Sequence, residues 1–238
     1  MEAMDATSAH VASILKVAWA RSLGIGDRDI AATRTNIVLP HDSNSLTFLS
    51  VFGESVFLGP EWAVERAREV PEDELGTERG LLGIAKDRGA HRARAETLLF
   101  TPDYLPPPSM HPSEAPLISR DRDMVDRLVR ASPPDDVEAA DLLDQSQWFT
   151  LLAEDMEPVA CAAYTEWQGF VANMTALTAP TARRRGYSKT VSLIATNVAL
   201  DEGLVPQWRA HRTNANAWHL ADALGYQKFG TLATVAIS

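Results

Sequence analysis

The sequence holds a single cysteine, Cys161, in 238 residues. An internal disulfide is therefore impossible, and a reducing compartment is the natural setting. No run of roughly eighteen apolar residues occurs, which excludes a membrane-spanning helix. The opening residues, MEAMDATSAH, are acidic and lack the charged-then-apolar order of an export signal, so a cytoplasmic location is expected. The six histidines show no metal-ligand spacing, and no metal is expected. Neither G-x-S-x-G nor a Walker-type loop is present, which leaves hydrolase and nucleotide-triphosphatase chemistry without an anchor. Basic charge is also short. The formal net charge of −10 argues against nucleic acid as the main partner and mildly favours a cationic one.

What is present is apolar material, 45%, enough for a sizeable core in one large domain or two small ones. The clearest boundary is TPDYLPPPSMHPSEAP, residues 101–116, whose prolines disfavour helix and lack ladder donors. It separates a small α/β unit (1–105) from a second domain (117–238) through an extended linker (106–116). In the first unit, Val11, Ile14, Leu15 and Ala18 form one stripe of a helix that ends before Gly24. Ser45–Phe52 and Ser55–Leu58 read as a strand pair hinged at Gly53, followed by a helix Glu61–Val70 with Pro60 at its first position. Residues 72–90 are helical in part, and Glu96–Phe100 returns as a strand.

In the second domain, Pro116–Ser119 reads as a strand and Asp121–Ala131 and Pro134–Leu143 as helices. Trp148–Ala153, Val159–Tyr164 and Phe170–Thr178 then form an antiparallel meander. The last of these strands runs into the stretch around which the chain is organised, Ala172–Ser188, ANMTALTAPTARRRGYS. Pro180 breaks the strand, three arginines follow, and Gly186-Tyr187-Ser188 opens a helix that carries Val191, Ile194, Ala195, Val198 and Ala199 on one face and stops at Gly203. A strand feeding a basic, Gly-containing turn at a helix N-terminus suits a diphosphate. Unpaired N–H groups point at the anion, the macrodipole favours negative charge, and glycine permits close approach.

Arg183-x-x-Gly186-x-Ser188 resembles the Q/R-x-x-G-x-G/A signature of the GNAT superfamily of N-acetyltransferases. Asn214-x-x-Ala217-x-x-Leu220-(x)3-Leu224-Gly225-Tyr226 is similar to that family's N-x-x-A/S-x-x-L-x-x-x-L-G-F segment. A strand-like run, Leu204–His211, sits between the two, and order and spacing agree over Phe149–Ser238. The fold class the resemblance implies is α/β (α+β): a mixed, mostly antiparallel sheet flanked by helices, preceded by the smaller N-terminal unit. By contrast, Arg79-Gly80-Leu81-Leu82-Gly83 only looks like the phosphate turn. No strand leads into it, its spacing is one residue too long, and an ordinary helix or loop is expected there.

The resemblance implies acetyl-CoA as acetyl donor and a primary amine, on a small molecule or a protein, as acceptor. It places the diphosphate on Arg183, Arg184, Arg185, Gly186, Tyr187 and Ser188, the pantetheine arm along the backbone of Leu177 and Thr178, and Asn214 beside the CoA arm. The plain reading of each residue stays beside this one: Asn214 as a helix N-cap, Leu177 and Thr178 as core strand, the arginines as a solvated turn. The family's carboxylate base and acidic tyrosine are both missing, since the fourth-strand position is Asn173 and the tyrosine position Ala221. Glu166 and His211 are the candidate bases, and Tyr226, with Tyr164, the candidate acid. Cys161, in an apolar strand, reads as a buried small hydrophobe. Three functions stay open: an N-acetyltransferase, a non-catalytic acyl-CoA-binding or interaction module, and a binder of some other phosphate ligand. The last strand, Leu232–Ile237, is expected as an exposed sheet edge that would suit a homodimer.

Overall fold

The computed structural model describes residues 6–26, 28–30, 35–39, 43–106 and 116–238. Most of the expected linker, 107–115, lies outside the described residues. In chain order the elements are α1 (Ala6–Ser22), β1 (Thr35–Val38), β2 (Ser45–Val51), β3 (Glu54–Gly59), α2 (Glu61–Ala67), α3 (Glu72–Leu75), α4 (Glu78–Ile84) and β4 (His91–Phe100). There follow β5 (Leu117–Ser119), α5 (Arg122–Arg130), α6 (Pro134–Ala140), β6 (Gln147–Leu152), β7 (Pro158–Trp167) and β8 (Val171–Thr178). The chain closes with α7 (Tyr187–Asp201), β9 (Val205–His211), α8 (Ala215–Ala223) and β10 (Gln227–Ala236). The architecture is mixed α+β, with a mostly antiparallel sheet and helices. No described helix is long and apolar enough to cross a membrane.

Two compact units form. One takes the chain up to Leu99 with Arg209–Ala217 and Lys228–Ser238, the other Phe100–Trp208 with Trp218–Gln227. This division differs from the sequence boundaries, which keep all of 117–238 together. Alternating side chains identify β10 as a strand, but nothing local to them names β2 as its neighbour.

In the first unit the strand order is β1-β3-β2-β10-β4. Phe52 (φ 51) and Gly53 (φ 80) make the tight turn between β2 and β3, both in the left-handed region that two-residue hairpins demand. Pro60 caps α2 from outside, one position earlier than expected, with φ −57 already suited to entering a helix. The stretch Arg79–Gly83 is ordinary helix within α4. Thr77 caps it by accepting from the Gly80 N–H at 3.0 Å. A Cβ on Gly80 would come within 2.0 Å of the Glu74 carbonyl oxygen, so packing explains that glycine. Phe48, Phe57, Leu75, Leu81 and Ala233 share the core of this unit. Because β10 lies between β2 and β4, Leu232–Ile237 is not the exposed edge read from the sequence. A homodimer through that edge therefore loses its physical basis.

In the second unit the order is β9-β8-β7-β6-β5, antiparallel except where β8 meets β9. The β6–β7–β8 meander has the form that the sequence indicates. Val125 and Leu128 of α5 and Ala140 of α6 pack on Cys161, Ala163 and Leu177, which share one sheet face. Burial pushes the Cys161 thiol up to about 11, as suits a filler and not a nucleophile. The helix expected to reach Leu143 stops at Ala140, where Asp141 turns left-handed (φ 48), a conformation that aspartate tolerates better than most residues.

Candidate cofactor site

The site starts as an interruption in a ladder. On its β7 side, β8 is paired throughout, from Trp167↔Val171 to Ala160↔Thr178. On its β9 side the parallel rungs run only from Val171↔Val205 to Met174↔Trp208. From Thr175 onward, then, an interior strand carries a backbone edge that the β9 ladder does not satisfy. Asn173, Thr175, Ala176 and Thr178 are only half-buried although β8 has a strand on either side, so solvent reaches both faces at this fork. The Thr178 hydroxyl at its end is buried and has no hydrogen-bond partner among the described residues. An orphaned hydroxyl beside an unpaired strand edge is a fit for an incoming amide-bearing chain.

The fork leads into the basic turn. After a single 3-10 turn at Pro180–Ala182, Arg183 is extended, whereas Arg184 (φ 62) and Gly186 (φ 82) are left-handed. Holding an arginine in that region costs on the order of 1 kcal/mol, a strain typical of ligand-holding loops. Gly186 caps α7 without a side chain, so no cap side chain covers the first-turn N–H groups among the described residues. No acidic residue lies in that first turn either, which leaves the positive helix end for an anion. Arg184, Arg185 and Lys189 are exposed around it. Arg183 is exposed as well but engaged: its Nη2 donates to Asp136 Oδ2 at 2.5 Å and its Nε to the Thr178 carbonyl at 3.5 Å. Tyr187 packs in part against the α5–α6 core, and Leu177 is buried in it.

The proposed acid–base residues are scattered. Glu166 is exposed on β7 opposite Ala172. The β7 partner of Thr175 is Ala163, so Glu166 stands three residues, about 10 Å along the strand, away from the open half of β8. His211 belongs to the first unit, where Nε2 meets Glu78 Oε1 and Nδ1 meets Thr213 Oγ1, each at 2.8 Å. Asn214, also in the first unit, accepts from the Ala217 N–H at 3.0 Å and so caps α8. Tyr226 is buried, 2.8 Å from the Thr196 hydroxyl and edge-on to Trp208, the last ladder residue. Burial holds its phenol well above the usual tyrosine range. Tyr164 is likewise raised, by burial and by donating to Glu202 at 2.8 Å.

Three features escaped the sequence. Gln207 Nε2 donates to Asn173 Oδ1 at 2.8 Å across the rung next to the fork. Thr175 Oγ1 donates to the Ala140 carbonyl at 2.6 Å, which places the end of α6, and Asp141 after it, beside the open half of β8. The Asp141 carboxyl is shifted upward by desolvation and by its neighbour Asp144. Finally, the segment after β4 is strapped to α7: Leu105 exchanges two hydrogen bonds of 2.9 Å with Asn197, and Tyr104 bonds Asp201. Bond partners 34 to 97 residues apart left no local signal to find.

No protein-family model matches the chain, and no curated protein matches it significantly. Among solved structures, a GCN5-related N-acetyltransferase from Kribbella flavida is 18% identical with a TM-score of 0.49; the match covers 66% of this chain and 63% of that one. A GNAT-family acetyltransferase from Colwellia psychrerythraea is 12% identical with a TM-score of 0.46, over 66% of this chain and 60% of the other. A GCN5-related N-acetyltransferase-like protein from Streptococcus suis is 16% identical with a TM-score of 0.43, over 85% and 87%. This chain thus spans less than two thirds of the first two. The fork, the left-handed turn and the uncapped helix, and not these likenesses, carry the function proposed next.

Proposed function

We propose that the second unit binds acetyl-CoA and transfers its acetyl group to a primary amine. The observation that carries this is continuity: the unpaired edge of β8 runs directly into a left-handed, uncapped, basic helix N-terminus. Acetyl-CoA supplies a thioester on an amide-bearing arm that ends in a diphosphate, which is the order of chemistry that fork and turn present. In this reading the N–H groups of Gly186, Tyr187 and Ser188 hold the diphosphate, with Arg184 and Arg185 beside it. The edge of β8 beyond Met174, at Ala176 and the Thr178 N–H, pairs with the amides of the arm. A β8 backbone N–H at the fork donates to the thioester oxygen as negative charge develops there. Asp141 replaces Glu166 as the candidate that takes the amine's proton, because the Thr175–Ala140 bond holds its backbone beside the fork. The neutral phenol of Tyr226, set behind Trp208, remains the candidate donor to the leaving thiolate. The proposed setting is cytoplasmic.

A second reading, an acyl-CoA-binding module without turnover, is favoured by one observation: the Tyr226 hydroxyl is already engaged by Thr196 in the core. Calorimetric titration with acetyl-CoA, on wild type and Gly186→Asp, followed by thiol release with an amine panel, separates the two. Binding by wild type that Gly186→Asp abolishes places CoA at the turn, and thiol release with an amine then supports transfer. Binding without release under any amine supports the module. Absence of binding, or affinity no better than for ADP, overturns the CoA reading.

A further inference from the structure

We propose that Asn173, held by Gln207, selects the acceptor, and that it selects a primary amine with a carbonyl or carboxylate oxygen three bonds from its nitrogen; this rests on the acetyl-transfer reading above. The Asn173↔Gln207 rung is the last but one before β8 and β9 part. Gln207 is 1% exposed, a core position that an apolar side chain of similar volume would fill without cost. Burying its amide costs about 1–3 kcal/mol unless it is hydrogen-bonded. Its Nε2 donates to Asn173 Oδ1 at 2.8 Å, which ties the half-buried asparagine amide to the buried glutamine. With Oδ1 committed, Asn173 has the two N–H donors of Nδ2 left, and no described residue takes them.

The face on which this donor stands is set by the period of the strand. Asn173, Thr175 and Leu177 lie on one side of β8, that of Ala140 and the α5–α6 core. Thr175 is already bonded to Ala140, so Asn173 is the polar side chain on that side with donors to spare. It stands two residues, about 7 Å, before the open half of the strand. An amine attacking there can direct a nearby oxygen back along β8 toward Nδ2. A donor-only group donates to an oxygen and offers nothing to a second ammonium.

The chemistry of the amine favours the same class. An α-amino group beside a carbonyl has a pKa near 8, against about 10.4 for a lysine side chain. At neutral pH its uncharged, nucleophilic fraction is larger by about two orders of magnitude. The fork's side chains on β8 and β9, Asn173, Met174, Thr175, Gln207 and Trp208, include no base, and a carboxylate such as Asp141 is too weak a base to offset that difference. Amides of α-amino acids and peptide N-termini meet both conditions, whereas free α-amino acids, whose carboxylate holds the ammonium form, meet the oxygen contact alone.

The test compares glycinamide with propylamine as acceptors, by kcat/KM, in wild type, Asn173→Asp and Asn173→Leu. The aspartate keeps an oxygen for Gln207 and loses both donors; the leucine loses them without adding charge. Reading the ratio of the two amines within each protein cancels any general effect on the chemical step or on folding. The expected result is a wild-type preference for glycinamide that falls about tenfold in both variants through KM, the loss of one good hydrogen bond. Equal preference in all three proteins overturns the proposal alone. Wild type that binds acetyl-CoA and acetylates neither amine overturns the acetyl-transfer reading and this proposal with it. Glycine and a triglycine added as further acceptors divide a free-amino-acid enzyme from a peptide N-terminal one.

Discussion

Gly186 has φ 82, and no described residue reaches within 4 Å of where its Cβ would stand. Conformation therefore demands this glycine, while the open space beside it remains free for a ligand. Arg183 shows how one side chain can be spent on structure within a run of three. Its tie to Asp136 joins the turn to α6, yet both side chains are about two-fifths exposed, 44% and 40%. Such a pair contributes about 0–1 kcal/mol to stability. Asp136 also puts a negative charge beside the proposed diphosphate site. Asp136→Asn keeps an oxygen for Arg183 and removes that charge. We expect acetyl-CoA to bind about two- to fivefold more tightly at low salt, with the gain fading at high salt. Calorimetry at the two salt concentrations reads it, and the melting temperature should hardly move. Weaker binding would mean that Arg183 is oriented by the full charge of its partner.

At the scale of elements, α7 is the piece on which the proposed site depends, because its N-terminus is the proposed cradle. Its other end is fixed by the strap at Tyr104 and Leu105 and by Thr196 meeting Tyr226. Asn197→Ala removes both bonds to Leu105 and leaves its backbone N–H and C=O without those partners. That should cost about 1–2 kcal/mol. A urea titration should show a lower midpoint with an unchanged slope, since the surface exposed on unfolding stays the same. An unchanged midpoint would mean that the strap adds no net stability. What was legible here follows from locality. The strand–turn–helix around Arg183–Ser188 is contiguous, so residue types and their spacing sufficed. The four-residue β1, TNIV, was missed because it is too short to show alternation, and it lies along β3 by a pairing that the sequence does not display. The start of β4 was missed because His91, Arg92 and Arg94 are polar and exposed. The Asn173–Gln207 bond and the Arg183–Asp136 tie depend on register and helix placement, which no spacing encodes.

At the scale of the whole molecule, the chain is interleaved. It leaves the first unit at Leu99, returns at Arg209–Ala217 and again from Lys228 to the end. A boundary drawn at the proline-rich stretch therefore cuts through both units. A fragment of residues 117–238 would lose the Leu105 strap from α7 and would carry β10 without β2. Seven register pairs, Gly230↔Val51 to Ala236↔Ser45, hold β10 to that strand in the intact chain. Without them β10 becomes a long apolar strand with unsatisfied N–H and C=O groups, the kind of edge that draws strands from other molecules. We expect the fragment to be insoluble or to run as high-order oligomers in size-exclusion chromatography, whereas the full chain gives one defined species and a single cooperative melt. Co-expression of residues 1–105 should restore solubility by returning β2 and the strap in trans. A fragment 117–238 that is monomeric and binds acetyl-CoA on its own would show that the second unit needs nothing from the first, and that β10 serves only the N-terminal half.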